Sequence, residues 1–174
     1  MVFALAAVLL SIERIAYVWI SNAPTSFVAW AGSTAGRAGS PVDAVRMLFL
    51  AFKGVQGVVF LAWILVHGGG HVFPPPGGWP ACVAGGLAIL VGQTFTLTAF
   101  RQLGKIGVFY GNQFGHPVAR SRAFPYSLMA HPQYVGAVIS IWGLFLMLRF
   151  PHPDWYLLPL LESVYYAVGS KLER

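Results

Sequence analysis

Apolar runs long enough to cross a membrane dominate this chain of 174 residues. The first three runs approach the roughly 20 residues that a helix needs to span a bilayer. Charged residues make up 9% of the chain and apolar residues 57%, which is too little charge to cover a water-facing surface. The sequence therefore predicts an all-α, polytopic integral membrane protein, a single domain over residues 1–174 with four to five transmembrane helices. The predicted spans lie near residues 2–20, 44–66, 79–100, 134–149 and 155–172.

The last two apolar runs are shorter than the others. A helix of about 15 residues is only about 22 Å long, which is less than the hydrocarbon core of about 30 Å. Pro151 and Pro153 also stop any continuation of the fourth helix. We therefore expect a helical hairpin that turns at residues 151–154, with Pro159 kinking its second arm.

Basic residues predict the orientation of the chain in the membrane. The connection 101–131 contains Arg101, Lys105, Arg120 and Arg122, whereas 67–78 contains no Lys or Arg. The positive-inside rule places 101–131 and the C-terminus on the cytoplasmic face and the N-terminus outside. The first run lacks a basic leader and a clear cleavage site, so we expect a retained span rather than a signal peptide. The absence of an organelle signal favours a bacterial inner membrane, with the endoplasmic reticulum expected for a eukaryotic chain.

Charge and cysteine content exclude several classes of function. The net charge is +6, but the basic residues form no run, so anionic lipid headgroups are expected as partners rather than nucleic acid. Cys82 is the single cysteine, which excludes an internal disulfide and a cysteine metal motif. His67 and His71 have helical spacing, but the three glycines between them disfavour a helix. No metal site is predicted.

A few polar residues interrupt the apolar spans. Charges inside a membrane are costly and usually have a role, so Glu13 and Arg14 are expected to pair with other spans or to reach the interface. Lys53 is expected to meet a lipid phosphate or an internal carboxylate. The amide of Gln93 needs a partner in a neighbouring helix.

The segment 104–136 carries most of the polar chemistry of the chain. His131-Pro132 opens a predicted helix, because proline suits the first helical turn. Free N–H groups at such a helix start attract a carboxylate or phosphate. The plainer interpretation is a proline-started helix with Tyr134 at the membrane interface. Glycines in this segment permit tight backbone, and Gly85, Gly86 and Gly92 in the third span predict helix packing or, alternatively, a ligand-facing groove.

Three motifs in order, GKIGVFYGNQFG, HPQYVG and a hairpin that ends in Lys-Leu-Glu-Arg, make residues 85–174 resemble a known family. The family is that of the membrane phospholipid methyltransferases, which includes phosphatidylethanolamine N-methyltransferases and, more distantly, isoprenylcysteine carboxyl methyltransferases. The resemblance implies transfer of a methyl group from S-adenosyl-L-methionine to a phospholipid amine, with the cofactor and catalytic region at about 85–174.

In that family a Gly-x-Gly in the third span and a Glu pair at the end of the hairpin hold the cofactor. Here Leu90-Val91-Gly92 keeps the second glycine, and Glu173-Arg174 keeps the first carboxylate. The Gly-Asp-Tyr-Phe-Gly of the phosphatidylethanolamine enzymes becomes Gly111-Asn112-Gln113-Phe114-Gly115, so an acidic residue is neutral here.

The resemblance and the residue chemistry together predict a site. His131 and Tyr134 are the predicted catalytic residues, because either could take the proton from the amine. The predicted substrate-binding residues are Asn112, Phe114, Arg120 and Arg122, with the arginines receiving the lipid phosphate. The predicted cofactor-binding residues are Val91, Gly92, Gln93, Gly107, Gly111, His131, Pro132, Tyr134 and Glu173.

Two alternatives stay open from the sequence. One is a methyltransferase of the same fold that acts on a prenylcysteine carboxylate or a small thiol, which a deep groove without phosphate-binding arginines would favour. The other is a non-enzymatic membrane protein whose glycine-rich spans pack against a partner. A homo-oligomer is compatible with each, and binding of S-adenosylmethionine by the folded protein separates the enzymes from the non-enzyme.

Overall fold

The computed structural model describes residues 1–34, 39–73, 76–118 and 122–172. Within these ranges the chain forms six α-helices and one short 3-10 helix, Gly111–Phe114. The α-helices are α1 Val2–Asn22, α2 Pro24–Thr34, α3 Pro41–His67, α4 Gly78–Val108, α5 Pro132–Arg149 and α6 Leu157–Leu172.

Four segments of the described chain are long and apolar enough to cross a membrane. They are Val2–Asn22, Pro41–His67, Gly78–Phe114 and Pro132–Arg149. The 16 residues of α6 span about 24 Å at 1.5 Å per residue, so this helix is shorter than a hydrocarbon core. The architecture confirms the prediction of an all-α, polytopic membrane protein.

Helices α5 and α6 form the predicted hairpin. Trp142 Nε1 on α5 donates a hydrogen bond of 2.9 Å to Ser163 Oγ on α6. The expected kink at Pro159 is wrong, because α6 begins only at Leu157. Pro159 therefore lies in the first helical turn, where a proline removes no helical hydrogen bond.

A bidentate ion pair closes the turn of the hairpin. Arg149 Nε and Nη2 donate to the two carboxylate oxygens of Asp154 at 2.9 and 2.6 Å, and Trp63 Nε1 on α3 adds a third bond of 3.0 Å. Burial alone would raise the pKa of Asp154, but the hydrogen bonds and charge of Arg149 hold it below its usual value. The hairpin turn is thus tied to α3.

Two helical features were not predicted from the sequence. Helix α2 is too short, at 11 residues, to register as a membrane span, and Phe27 on it packs against Trp19 of α1 with ring centroids 5.6 Å apart. Helix α4 continues to Val108, so the first part of the predicted 101–131 connection is helical. Gly104 interrupts this helix with φ +62°, a left-handed conformation that glycine adopts at little cost.

Glycines bring α4 and α5 into close contact. A Cβ atom on Gly92 would lie 2.4 Å from the carbonyl oxygen of Gly136, and one on Gly136 would lie 2.4 Å from that of Gly92. Gly85 and Gly143 form a second pair of the same kind. Small residues permit such backbone approach in membranes, so the helix-packing prediction is confirmed for Gly85 and Gly92. Gly86 differs, since nothing lies within 4 Å of its added Cβ.

Polar contacts gather several helix ends at one end of the bundle, here called the loop end. Asn22 Nδ2 at the end of α1 donates to the carbonyl of Leu172 at the end of α6 at 2.8 Å. Lys105 Nζ near the end of α4 lies 2.5 Å from Asp43 Oδ1 at the start of α3. The end of the hairpin and the segment after α4 therefore share the loop end.

Candidate active site

A cavity of about 560 Å³ lies between α1, α3, α4 and α5 and reaches the loop end of the bundle. Exposed His131 and Asn112 line it there, whereas Glu13 and Gln56 line it deeper among the spans. Pockets for small ligands typically measure about 300–1,000 Å³, so the cavity is large enough for a cofactor-sized molecule.

His131 and Tyr134 form the polar wall near the loop end. Their rings stack at a centroid distance of 5.6 Å and an interplanar angle of 16°. They are close because His131 directly precedes α5 and Tyr134 lies in its first turn. Tyr134 also meets the ring of Tyr166 on α6 edge-on at 5.3 Å. His131 is exposed and Tyr134 half-buried, so the pair connects water to the interior of the cavity.

The start of α5 has less capacity to bind an anion than the sequence predicts. The N–H groups of Tyr134 and Val135 both donate to the carbonyl of His131, at 3.1 and 3.2 Å. Pro132 contributes no N–H group and is buried. Two of the three N–H groups that follow the proline are thus already engaged.

A polar network lies at the inner end of the cavity, and all of its side chains except the half-buried Lys53 are buried. It is defined by Glu13, Arg14, Lys53, Gln56, Glu162 and Tyr166. Lys53 Nζ on α3 lies 2.9 Å from Glu13 Oε1 on α1, which confirms the prediction that this lysine meets an internal carboxylate. Gln56 Nε2 extends the network by a bond of 2.6 Å to Glu162 Oε1 on α6. Charges at this depth are costly and mark functional positions.

Five of the residues predicted for the site line the cavity. They are Gln93, Gly107, Asn112, His131 and Tyr134. Gln93 Nε2 also has the predicted partner in a neighbouring helix, since it donates to Ser140 Oγ on α5 at 3.0 Å. Gly107 has a packing role as well, because a Cβ there would lie 2.9 Å from Leu103 Cβ.

The structure places the remaining predicted residues elsewhere. Val91 is 50% exposed, and Gly92 faces α5 in the glycine contact. Phe114 packs on Phe27 of α2 with ring centroids 5.9 Å apart. Arg122 is exposed. None of these residues lines the cavity, nor do Gly111 and Pro132, which are buried.

Two predicted residues, Arg120 and Glu173, lie outside the described residues. Their roles stay predictions. Leu172, which precedes Glu173, is at the loop end through its carbonyl contact with Asn22.

The inner wall was not predicted as part of the site. Glu13, Arg14, Lys53 and Gln56 come from α1 and α3, before the segment that carries the recognisable motifs. Their signal in the sequence was their charge or polarity inside apolar spans. Tyr17 Oη and Thr96 Oγ1, which line the same cavity, have no hydrogen-bond partner among the described residues, and such buried groups are suited to a ligand.

The fold and the cavity define a class of protein, an α-helical membrane bundle with a polar intramembrane site that opens at one end. A family model described as phospholipid methyltransferase matches residues 80–174, more than half of the chain. The chain belongs to this phospholipid methyltransferase family.

Three curated proteins that are similar to this chain are named as N-methyltransferases of phosphatidylethanolamine or its monomethyl derivative. Phosphatidylethanolamine N-methyltransferase of Rattus norvegicus is 36% identical over 91 residues, which cover 51% of this chain and 45% of the rat protein. The Homo sapiens enzyme of the same name is 34% identical over 97 residues, covering 55% and 48%. Phosphatidyl-N-methylethanolamine N-methyltransferase of Arabidopsis thaliana is 31% identical over 68 residues, covering 39% and 37%.

The chain therefore spans about half or less of the length of these curated relatives. No solved structure matches it significantly.

Proposed function

We propose that this protein transfers a methyl group from S-adenosylmethionine to the amine of a phospholipid headgroup, phosphatidylethanolamine or one of its methylated derivatives. The observation that carries the proposal is the cavity, which joins exposed His131 at the loop end to buried charges within the membrane spans. Membership of the phospholipid methyltransferase family supports the reaction type. The names of the relatives support the lipid amine as acceptor.

Some residues that line the cavity are also exposed along the sides of α3 and α4. Gln93 and Leu97 on α4 line it and are exposed, Leu97 to 51%. The Lys53 side chain on α3 also lines the cavity and is 30% exposed. We therefore propose that a lipid headgroup enters from the bilayer and that a water-soluble cofactor enters at the loop end.

The cavity residues fit S-adenosylmethionine in size and polarity. Thr96 Oγ1 and Tyr17 Oη are buried without a partner among the described residues, so each can form a hydrogen bond with a ligand. Gln93, Asn112 and His131 add further polar groups to the wall. When bound, the cofactor supplies an electrophilic methyl group. Because such a donor needs an aligned nucleophile more than acid catalysis, positioning in a confined site supplies much of the rate.

The chain itself contributes desolvation, orientation and proton removal. The amine must lose a proton to attack, and exposed His131 lies where it can pass a proton to water. Tyr134 supplies an aromatic face that can hold an ammonium by cation–π attraction. Phe109 and Tyr110 extend this aromatic wall.

We further propose that the loop end faces the cytoplasm, on the charge argument from the 101–131 connection. This orientation gives the site access to soluble S-adenosylmethionine. A bacterial inner membrane remains the expected host.

Lipid mass spectrometry tests the proposal. The full-length protein is expressed in a host without phosphatidylcholine, and mono-, di- and trimethylated ethanolamine lipids are measured against a vector control. New methylated lipids with incorporation of label from methyl-labelled methionine are expected. Their absence, with the protein folded in the membrane, would refute the function.

A matched histidine pair then tests the site. His131→Gln is expected to lower the methylation rate by roughly 10²–10⁴-fold if the imidazole acts as general base. His116→Gln is the control, because His116 is exposed and does not line the cavity. Equal rates for both variants would remove His131 from catalysis.

A further inference from the structure

Arg14 presents an unused hydrogen-bonding edge inside the cavity. Its side chain is 8% exposed and lines the cavity, yet neither Nε nor Nη2 donates a hydrogen bond to any described residue. Nη2 lies 3.3 Å from Glu13 Oε1, within ion-pair distance but without hydrogen-bond geometry. Leaving buried donors unpaired is costly, so this edge is suited to a ligand that brings acceptor oxygens.

A second buried arginine in the same chain shows what this edge binds when an oxyanion is present. Arg149 uses the same two atoms, Nε and Nη2, to hold both oxygens of Asp154 at 2.9 and 2.6 Å. Such a fork matches carboxylates and phosphates. In Arg14, by contrast, neither Nε nor Nη2 forms a hydrogen bond with a carboxylate.

The nearest carboxylate to Arg14 is already neutralised by Lys53. Lys53 Nζ lies 2.9 Å from Glu13 Oε1, and its other donors reach Gln56 Oε1 at 3.0 Å and Tyr166 Oη at 3.3 Å. Within the described part of the chain, the other buried carboxylate, Glu162, forms no ion pair with Arg14. Lys53 and Arg14 thus share Glu13, and neither carboxylate of the network occupies the Nε and Nη2 edge of Arg14 with hydrogen bonds.

Aromatic rings hold the guanidinium group in place. Its Cζ atom lies 3.8 Å from the ring centroid of Tyr166, 5.8 Å from that of Tyr17 and 5.9 Å from that of Tyr134. The hydroxyl of Tyr17 is also buried without a described partner. The guanidinium edge and the Tyr17 hydroxyl line the same cavity, and together they are suited to an oxyanion with more than one oxygen.

We propose that Arg14, assisted by Tyr17, binds the phosphodiester group of a membrane phospholipid inside the cavity. The proposal rests on the proposed methyl transfer to a lipid amine and gives the substrate phosphate a place outside the family-matched residues 80–174. Two carbons separate the amine of an ethanolamine headgroup from its phosphate oxygen, so a phosphate at Arg14 leaves the amine close to Tyr134. Arg122, which the sequence suggested for this role, is exposed and lies outside the cavity.

Lipid retention in the absence of cofactor tests the site. Native mass spectrometry of the detergent-purified full chain measures retained phosphatidylethanolamine and, as a lipid without phosphate, diacylglycerol. Calorimetry measures the affinity of the same proteins for S-adenosylmethionine. Arg46→Gln is the matched control, since it removes a positive charge from an exposed position of α3 outside the cavity.

Arg14→Gln is expected to weaken phosphatidylethanolamine retention roughly ten- to a hundredfold. Diacylglycerol retention and cofactor affinity should match wild type, as should all values for Arg46→Gln. Arg14→Lys should lose most of the lipid affinity too, because lysine keeps the charge but not the fork.

Wild-type phosphatidylethanolamine retention in Arg14→Gln would overturn the proposal. So would an equal loss of cofactor affinity, which would assign the fork to the carboxylate of S-adenosylmethionine. If Arg14→Gln does not fold, Arg14→Lys, which preserves the charge beside Glu13, decides in its place.

The two proposals fail separately. If the protein retains phosphatidylethanolamine through Arg14 but makes no methylated lipid, methyl transfer is refuted and the phosphate site at Arg14 is still supported. If Arg14→Gln methylates the lipid with a wild-type KM, the phosphate site at Arg14 is refuted and the proposed methyltransferase function is still supported.

Discussion

A Cβ atom on Gly85 of α4 would lie 2.5 Å from the carbonyl oxygen of Gly143 on α5, closer than real Cβ atoms approach any atom. The neighbouring Gly86 has open space at the same position. Alanine substitutions at these two adjacent positions of α4 therefore distinguish the effect of helix packing from that of helix propensity.

Gly85→Ala is expected to destabilise the protein by about 1–3 kcal/mol, because the methyl group forces α4 and α5 apart. Gly86→Ala should leave stability unchanged or raise it by up to about 1 kcal/mol, since alanine favours a helix. Thermal unfolding in detergent measures both. Equal stability of the two variants would contradict the close helix contact.

Asp154→Asn is expected to cost about 3 kcal/mol of stability, because it leaves buried Arg149 without its carboxylate. The double variant Asp154→Asn, Arg149→Met should recover most of this loss, since no buried charge remains unpaired. Chemical unfolding of the single and double variants in mixed micelles measures the difference. A single variant as stable as wild type would contradict the ion pair.

The same pair predicts a dependence of stability on pH. The pKa of Asp154 is lowered in the folded protein from an ordinary value of 3.8, so its contribution to stability is fully present above that value. It should be lost as the pH falls from about 3.8 towards the lower folded pKa. Wild type should therefore lose more stability than Asp154→Asn over this window. If the stability of wild type and Asp154→Asn falls in parallel with decreasing pH, the pKa of Asp154 is not lowered in the folded protein.

Glu173→Gln is expected to weaken S-adenosylmethionine binding roughly ten- to a hundredfold, the value of a charge-assisted hydrogen bond. The prediction comes from the family motif and from the position of Leu172 at the loop end. Calorimetric titration measures the affinity, and Arg46→Gln is again the control. Wild-type affinity would assign Glu173 to a solvated tail.

Cysteine labelling is expected to place Ser127 and His71 on opposite sides of the membrane. Both are exposed and lie in connections at the two ends of the bundle. In a Cys82→Ala background, a cysteine at Ser127 should react with an impermeant maleimide only after the cytoplasmic face is opened. A cysteine at His71 should react from outside. The reverse pattern would invert the proposed orientation.

Much of the helical architecture could be predicted from the sequence, because membrane spans are read from length and apolarity alone. The prolines after Arg149 marked the turn of the hairpin, and Pro132 marked the start of α5. Helix α2 escaped prediction because 11 residues are too few for a span. The site was predicted only in its family-matched half, where His131, Tyr134 and Asn112 line the cavity.

The sequence by itself determined that the chain is a membrane bundle, where the hairpin turns, and which family motifs it carries. Only the tertiary structure decided which buried charges meet. Glu13 and Lys53 are separated by 40 residues, and Gln56 and Glu162 by 106, so no local pattern specifies their contacts. It also decided that Gly92 faces α5 rather than the cavity, because each residue turns a helix by about 100° and only packing fixes that rotation.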